Sequence, residues 1–399
     1  MADIFERSLQ RHRETQGKIE VRSRMRLDSP DDLSLAYTPG VARPCEVIAE
    51  HPGAAWDLTW KGRTVAVVSD GSAVLGLGDI GPKAALPVME GKAALFREFA
   101  GIDAVPVVLD AHDPDEIVRI VRAMAPTYGG INLEDISAPR CFQIEADLQD
   151  IGIPVLHDDQ HGTAIVLLAA VINATRVLGT TLGQLSVVIN GAGAAGRAIA
   201  HLLTCVEQDE RCIPIGRLRI CDSKGLIWPG RPGNDDVKEK LGQLTNPEAQ
   251  KGSLRDAIAG ANVFIGVSRG DLLKADDIRA MAPDPIVLAM ANPTPEIHPK
   301  EAIEGGAAIV GTGRSDFPNQ VNNVLAFPGL FRGALAARAT TFTNSMKYAA
   351  IDAIVACMTE PTAHQILPSV FDRSVAVEVA RYVEEAAHKS GVCHEPAPV

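Results

Sequence analysis

The 399-residue sequence is poor in aromatic residues, in clustered basic residues and in long apolar runs, and each shortage excludes a class of protein. Aromatic residues make up only 4%, but 46% hydrophobic residues suffice for a buried core and exclude a disordered chain. The formal net charge of −12 argues against a nucleic-acid partner, because phosphate binding needs clustered Lys and Arg. The longest apolar run, residues 164–172, is shorter than the roughly 20 residues of a membrane-spanning helix. We therefore predict a globular protein without a nucleic-acid or membrane partner.

The cysteines give no sign of a disulfide framework or of a zinc site. There are seven, scattered without CxxC spacing, and an odd number cannot all pair within one chain. This usage favours a reducing compartment. The first residues mix acidic and basic side chains and lack an apolar stretch, unlike a signal or transit peptide. We predict an unprocessed, cytoplasmic protein.

The length and the order of apolar segments predict two α/β domains. A chain of this length exceeds the size at which one hydrophobic core usually stops growing. From residue 65 onward, short apolar segments alternate with amphipathic ones, which indicates parallel strands joined by helices, and a long apolar helix is predicted at 163–178. A second series of strands begins with SVVIN and has the rhythm of a doubly wound sheet, followed by helices. We predict a first α/β domain at 1–160 and a Rossmann-like domain with C-terminal helices at 161–399.

A glycine-rich turn follows SVVIN directly and opens an alanine-rich helix. Such a turn lets the backbone approach a pyrophosphate, which then lies at the helix N-terminus, so this context indicates dinucleotide binding. The alternative is a turn that needs glycine only for close packing. The predicted cofactor-binding residues of the turn are Gly191, Ala192, Gly193, Ala194, Ala195 and Gly196.

Two further residues stand at strand ends of the second domain. Asp222 ends LRICD, where a carboxylate can hold the adenosine ribose and favour NAD by repelling a 2′-phosphate. Lys224 nearby leaves the choice between NAD and NADP open. Asn292 ends PIVLAMAN, where open α/β sheets bind ligands, so we predict that it contacts cofactor and substrate. Its alternative role is that of a turn or cap residue.

Two acidic pairs, Glu134-Asp135 and Asp158-Asp159, follow apolar segments of the first domain. Acidic pairs are most often solvated loop residues, but these border buried structure, where like charges need compensation. A Mg²⁺ or Mn²⁺ ion supplies that compensation and remains open to substrate. Neighbouring histidines raise zinc as an alternative, although a carboxylate-rich site favours a harder ion.

Three other side chains are candidates for chemistry. Lys92 lies on the apolar face of a helix, where burial is expected to lower its pKa toward neutrality and make it a general base. The alternative is a lysine that extends to solvent or pairs with a structural carboxylate. Taken alone, Tyr37 is best interpreted as a core tyrosine, and Asn323 as a helix N-cap.

Together these segments make the chain resemble the malic enzymes, in their short bacterial form. SLAYTPGVA, LGLGDIG, EGKAALFREFAGID, NLEDI, HDDQHGTA, GAGAAG, ANPTPEI and NQVNNVLAFPG occur in the family order. The resemblance implies a malic-enzyme-type N-terminal domain and an NAD(P)-binding Rossmann-like domain. It also implies oxidative decarboxylation of (S)-malate to pyruvate and CO₂, with NAD or NADP and Mg²⁺ or Mn²⁺. We expect a homodimer or a larger homo-oligomer.

The resemblance also implies residue roles. The implied metal ligands are Glu134, Asp135 and Asp159, the general base is Lys92, the general acid is Tyr37, Asp158 is a supporting carboxylate near Lys92, and Asn292 and Asn323 bind substrate. One departure concerns Ala73, since larger members place an arginine for the substrate carboxylate just before LGLGD. Another group must bind that carboxylate here. Two alternative functions are a malolactic enzyme, which releases lactate, and a catalytically silent dinucleotide sensor.

Overall fold

The computed structural model describes residues 3–74, 76–206 and 212–395. The α-helices in these residues are α1 (Ile4–Thr15), α2 (Pro30–Ala36), α3 (Ala42–Glu50), α4 (Ala55–Leu58), α5 (Pro82–Ala100), α6 (Pro114–Met124), α7 (Arg140–Asp147), α8 (Asp158–Leu178), α9 (Ala194–Leu203), α10 (Asp236–Thr245), α11 (Leu254–Ile258), α12 (Ala275–Arg279), α13 (Pro299–Glu304), α14 (Phe327–Ala336), α15 (Asn344–Ala356) and α16 (Arg373–Lys389). The strands are β1 (Thr64–Ser69), β2 (Asp103–Val108), β3 (Gly130–Leu133), β4 (Val155–His157), β5 (Ser186–Asn190), β6 (Arg217–Asp222), β7 (Gly225–Leu226), β8 (Val263–Gly266), β9 (Ile286–Ala289) and β10 (Ile309–Thr312).

The first sheet has the order β2-β1-β3-β4, and all its strands are parallel. The central strand β1 reads TVAVVS and is buried along its whole length, as expected for a strand covered by helices on both faces. Leu133 of β3 pairs with His157 of β4, so these two strands end at the same edge. The residues that follow them, Glu134 and Asp158, therefore emerge side by side.

The second sheet has the order β10-β9-β8-β5-β6-β7, parallel except for β7. After β5 and β6 the chain crosses to the other side of β5 to form β8. Open α/β sheets bind ligands at the carboxyl edge where the strand order reverses in this way. The turn between β5 and α9, residues 191–193, lies at that point, which gives the predicted doubly wound arrangement.

Helix α8 connects the two sheets and differs from its prediction at one end. It begins at Asp158, before the predicted residue 163, so Asp158 and Asp159 lie in its first turn and not in a strand end. It is long and apolar enough to cross a membrane, but 67% of that stretch is buried inside the protein, between α9 and α15. We therefore interpret α8 as a core helix. The domain division after residue 160 stays a prediction.

The C-terminal helices pack back onto the first domain. The ring of Phe96 in α5 lies 4.8 Å from that of Phe327 and 5.4 Å from that of Phe331, both in α14 and both edge-on. Helix α16 packs on α14 and α15. One feature was not expected from the sequence, a disulfide between Cys205 and Cys212.

The N-terminal segment, which we define as residues 3–53, contrasts with this packed core. It contains helices α1, α2 and α3, yet none of its residues is buried. Its exposed large apolar side chains are Ile4, Phe5, Leu9, Ile19, Val21, Met25, Leu27, Leu33, Leu35, Tyr37 and Val41. A single chain thus leaves an extensive apolar surface on this segment in water.

Candidate active site

Lys92 lies at the centre of the predicted site. Its Nζ is 2.8 Å from Oε1 of Glu134 and 2.5 Å from Oδ2 of Asp158, and all three side chains are buried. The ring of Phe327 lies 4.1 Å from the ammonium and adds a cation–π contact. Helix α5, the end of β3 and the first turn of α8 thus bring together three residues that the sequence singled out. We call them, with Asp135 and Asp159, the acidic cluster.

The pKa of Lys92 is shifted in the direction opposite to the one expected from its helix. Burial lowers this pKa, but the charges of Asp158 and Glu134 outweigh burial and raise it above its ordinary value. The expectation of a lowered pKa is therefore wrong for this arrangement. Helical periodicity reveals burial, but it does not reveal carboxylates supplied by distant segments.

The carboxylates of the acidic cluster outnumber its ammonium. Burial raises the pKa of Asp158 to about 6 although Lys92 opposes the shift, and burial likewise raises the pKa of Glu134. The Oδ1 atom of Asp158 is buried and has no hydrogen-bond partner among the described residues. An excess of negative charge with an unused oxygen is a suitable environment for an additional cation.

Asp135 and Asp159 complete the acidic cluster. The backbone N–H of Asp135 donates to Oδ2 of Asp159 at 2.8 Å, and the Asp159 side chain is 37% exposed, so it forms the open side of the cluster. Within residues 3–74, 76–206 and 212–395, no three metal-binding side chains are already arranged around one point. The donor chemistry fits a hard cation, because all the oxygens are carboxylate oxygens. Metal binding by Glu134, Asp135 and Asp159 stays a prediction.

The loop after β1 contacts the acidic cluster through its backbone. Ala73, near the position where the resemblance implied an arginine, donates its N–H to the carbonyl oxygen of Asp135 at 2.9 Å. Asp70, at the start of this loop, accepts hydrogen bonds from Ser72 and, at 2.6 Å, from Arg140. The sequence analysis did not single out Arg140, which ties this loop to the start of α7.

Asn323 contacts the acidic cluster, whereas Tyr37 lies exposed on the surface. The Nδ2 atom of Asn323 donates to Oδ2 of Asp158, whereas the cap of its short helix is Asn322. The N-cap interpretation of Asn323 is therefore wrong, and the residue joins the acidic cluster. Tyr37 directly follows α2 and is 68% exposed, so the core interpretation is also wrong. No hydrogen bond in the described part of the chain connects Tyr37 with Lys92.

The glycine-rich turn has the geometry of a dinucleotide-binding turn. Gly191 has a φ of 125°, and a Cβ there would lie 2.6 Å from the carbonyl oxygen of Val267. A Cβ on Gly196 would lie 1.8 Å from the carbonyl oxygen of Gly191, so helix and strand pack closely. The space beside Gly193 is open. These are the three purposes of glycine in such a turn: a tight bend, close packing and access for the pyrophosphate.

The family comparisons agree with this geometry. A model described as "Malic enzyme, N-terminal domain" matches residues 16–114 and 111–149, and one described as "Malic enzyme, NAD binding domain" matches residues 160–388. This chain belongs to the malic enzyme family. The predicted family and the predicted α/β fold, with an NAD-binding Rossmann-like domain, are confirmed.

Malic enzyme relatives are similar over nearly the whole chain. A bifunctional malic/malolactic enzyme of Bacillus subtilis is 52% identical, covering 98% of this chain and 94% of that protein. An NAD-dependent malic enzyme of Geobacillus stearothermophilus is 53% identical, covering 95% and 78%. The crystal structure of an NAD-dependent malic enzyme from Thermotoga maritima is 44% identical, with a TM-score of 0.90 over 96% of this chain and 99% of that one.

One buried acidic residue of this malic enzyme family member was missed by the sequence analysis. Glu296 is fully buried and accepts hydrogen bonds from the N–H groups of Ser268 and Ala291, each at 3.0 Å, which joins the ends of β8 and β9. Burial raises its pKa despite these bonds. The available signal was an acidic residue within ANPTPEI.

Asn292, in the same loop, lies close to Gly76 of the first domain. A Cβ on Gly76 would be 3.5 Å from the Asn292 carbonyl oxygen.

Asp222 is already occupied by protein partners. Arg231 donates to Oδ1 at 2.9 Å and to Oδ2 at 2.5 Å, and Nζ of Lys238 lies 3.2 Å from Oδ2. The backbone N–H of Lys224 also donates to Oδ1, at 2.9 Å, while its side chain is exposed. The carboxylate predicted to hold the ribose is therefore part of an ion-pair group that the sequence did not reveal.

Proposed function

We propose that this protein catalyses the oxidative decarboxylation of (S)-malate to pyruvate and CO₂, with reduction of NAD or NADP and dependence on Mg²⁺ or Mn²⁺. The observation that carries the proposal is the buried Lys92 between Glu134 and Asp158, in a chain whose second domain presents a dinucleotide-binding turn. Relatives named NAD-dependent and NADP-dependent malic enzymes support the same activity.

In this mechanism Lys92 is the proton acceptor. As the neutral amine, its Nζ would take the proton of the malate C2 hydroxyl, and Asp158 and Phe327 hold the ammonium that results. A dinucleotide bound at the glycine-rich turn would supply the hydride acceptor. A divalent cation on Glu134, Asp135 and Asp159 would supply Lewis acidity toward the substrate oxygens and a charge that lowers the pKa of Lys92. Asn323, fixed by Asp158, is positioned to donate a hydrogen bond to the substrate.

Decarboxylation leaves an enolate that must be protonated at C3, and Tyr37 is our proposed acid. Its high exposure in a single chain suggests that it acts in the site of a second copy. Burial of the apolar N-terminal segment against that copy also removes a large exposed patch, a feature typical of association surfaces. We therefore propose a homodimer whose sites are shared, and a cytoplasmic location in keeping with the acidic net charge and the burial of α8.

The test of the activity is a malate-dependent absorbance assay with NAD and NADP in parallel. Malate should reduce the cofactor when Mn²⁺ is present, EDTA should abolish the reaction, and added Mg²⁺ or Mn²⁺ should restore it. Pyruvate should form in equal amount to the reduced cofactor. Dinucleotide binding without malate-dependent reduction would refute the proposal and favour the dinucleotide sensor.

A malolactic activity is the second candidate, favoured by the relative of Bacillus subtilis named bifunctional malic/malolactic enzyme. The two activities differ in their products, because a malolactic reaction regenerates the oxidised cofactor. Lactate without net cofactor reduction would establish the malolactic reaction. Pyruvate with one reduced cofactor per malate would exclude it.

Shared sites can be tested by mixing two inactive variants. Tyr37→Phe and Lys92→Ala should each lose most turnover. If Tyr37 acts in the other subunit, a hybrid dimer contains one intact site and one doubly altered site. Subunit exchange should then restore about a quarter of the wild-type turnover, since half of the dimers are hybrids with one intact site. No recovery after verified exchange would place Tyr37 and Lys92 in the same subunit's site.

A further inference from the structure

A cavity of about 460 Å³ lies beside the first turn of α8, between α7 of the first domain and α9 and the start of α15 in the second. Its volume is typical of a site for a small molecule. Among the described residues that line it, none belongs to the acidic cluster or to the glycine-rich turn. The cavity is therefore distinct from the candidate active site.

Arg197 of α9 is the most available basic group of this cavity. Its Cζ lies 4.4 Å from the centre of the Phe142 ring, which is a cation–π contact that orients the guanidinium. The side chain makes no hydrogen bond or ion pair with the part of the chain that the structure describes. A guanidinium has five N–H donors, so those of Arg197 remain available to a ligand.

Two further basic side chains line the cavity, Lys347 of α15 and His201, which follows Arg197 by one turn of α9. Burial lowers the pKa of His201 to about 4, and nearby charges, including those of Arg197 and Lys347, act in the same direction. Among the described residues, the charges that shift this pKa are all cationic. Positive charge from two helices thus converges on one wall of the cavity.

The one acid among the described lining residues is Glu145, and its oxygens are already engaged. The N–H of His157 donates to Oε1 at 2.9 Å, the side-chain amide of Gln160 donates to Oε2 at 3.0 Å, and Nε2 of His161 lies 3.1 Å from Oε2. One engaged carboxylate therefore faces the charges of Arg197 and Lys347. Such a balance favours an anion in the cavity.

We propose that this cavity binds a small organic anion with a carboxylate or phosphate head and an aromatic body. The head would lie on Arg197 and Lys347, because a guanidinium matches the oxygens of either group. The body would pack on Phe142 and Phe342, which supply the apolar part of the lining. The ligand would contact helices of both domains. This inference goes beyond the proposed function and does not depend on it.

Calorimetry with phenyl phosphate and benzoate as probes tests the inference. Metal ions are first removed with a chelating resin, and NAD is present in excess, so that the acidic cluster and the glycine-rich turn do not hold the probes. The wild-type protein should bind one molecule of each probe per chain, and phenyl phosphate more tightly because it carries more charge. Benzyl alcohol is the neutral control for the head group and should not bind.

Arg197→Met should weaken the binding of both probes about tenfold, as expected for the loss of one charge-assisted contact. Lys347→Met should have a similar effect, and it preserves the test if circular dichroism shows that Arg197→Met does not fold. Arg119→Met is the matched control, because Arg119 is an exposed arginine of α6 that does not line the cavity. It should leave both affinities unchanged.

Three results would overturn the inference. They are no binding of either aromatic anion to the wild-type protein, equal affinities in the wild type and both cavity variants, and binding of benzyl alcohol as tight as that of benzoate. Probe binding that depends on Arg197, in a protein that does not oxidise malate, would instead refute the proposed function alone.

Discussion

The carboxyl edges of the two sheets carry similar residues with opposite charge balance. Asp158 at the first edge and Asp222 at the second each contact a basic side chain, yet burial raises the pKa of Asp158 to about 6, whereas hydrogen bonds that outweigh burial lower that of Asp222 to about 2. Around Asp158 carboxylates outnumber cations, and around Asp222 cations outnumber the carboxylate they contact. The same residue type at equivalent edges thus fits an added cation in one domain and is already paired with protein cations in the other.

Removal of Lys92 should have the largest effect, because it takes the ammonium out of the acidic cluster. Lys92→Met should lower turnover at saturating malate by about 10²- to 10⁴-fold, the usual contribution of a general base. Dinucleotide affinity, measured by calorimetry, should be retained, since the variant changes no residue at the carboxyl edge of the second sheet.

The control for this variant is Lys83→Met, because Lys83 is an exposed lysine near the start of the same helix α5. It should turn over malate at the wild-type rate. Wild-type turnover by Lys92→Met would remove Lys92 from the mechanism.

Displacement of Asp158 without loss of any charge should have the next largest effect. A Cβ at Gly162, in the next turn of α8, would lie 1.9 Å from Oδ1 of Asp158 and 3.3 Å from Cβ of Asn323. Gly162→Ala should therefore push the carboxylate away and lower kcat/KM about 10²-fold, as misplacement by 1 Å can. Cofactor affinity should not change.

Gly183→Ala is the matched control for Gly162→Ala, since a Cβ there meets no atom within 4 Å. It should leave kcat/KM unchanged. Equal kcat/KM for the two alanine variants would show that the acidic cluster tolerates a shift of Asp158.

The smallest expected effect is a difference in how stability depends on pH. With EDTA present, the raised pKa of Asp158 contributes stability below its ordinary value of 3.8, and that contribution is lost as pH rises through about 6. Asp158→Asn removes this loss. The free energy of unfolding of the variant, relative to that of the wild type, should therefore be about 1–3 kcal/mol higher at pH 7.5 than at pH 4.5.

Asp222→Asn should behave differently in the same urea titrations. The lowered pKa of Asp222 contributes stability above pH 3.8 that is lost only as pH falls through about 2. This variant should therefore be destabilised equally at pH 4.5 and 7.5. Parallel pH profiles for the two variants would contradict the opposite charge balance.

Local patterns in the sequence predict the elements well and predict their ends less well. Helix α6 occupies residues 114–124, within the predicted alternation of apolar and amphipathic segments, and the β-branched segments form the predicted strands. The start of α8 was missed because Asp158 and Asp159 interrupt the apolar pattern, although acidic residues are favourable in a first helical turn. Polar functional residues in the first turn of a helix therefore make the predicted helix begin too late.

The contents of the site could be predicted better than its electrostatics. The apolar face of α5 indicated that Lys92 is buried, but the sign of its pKa shift depends on Asp158, 66 residues away. Asn323 contacts Asp158 across 165 residues, and Arg231 pairs with Asp222 from a loop without a motif. Such contacts depend on tertiary packing, which the periodicity of apolar residues along the sequence does not predict.

Helix α8 has a mechanical consequence for substrate entry. Its 21 residues form one unbroken rod about 30 Å long, anchored between α9 and α15. A rod of this kind does not flex in the middle. Asp158 and Asp159, at one end of this rod, therefore keep a fixed spacing from the residues of α8 that pack on α9 and α15, so an opening for malate has to come from other elements.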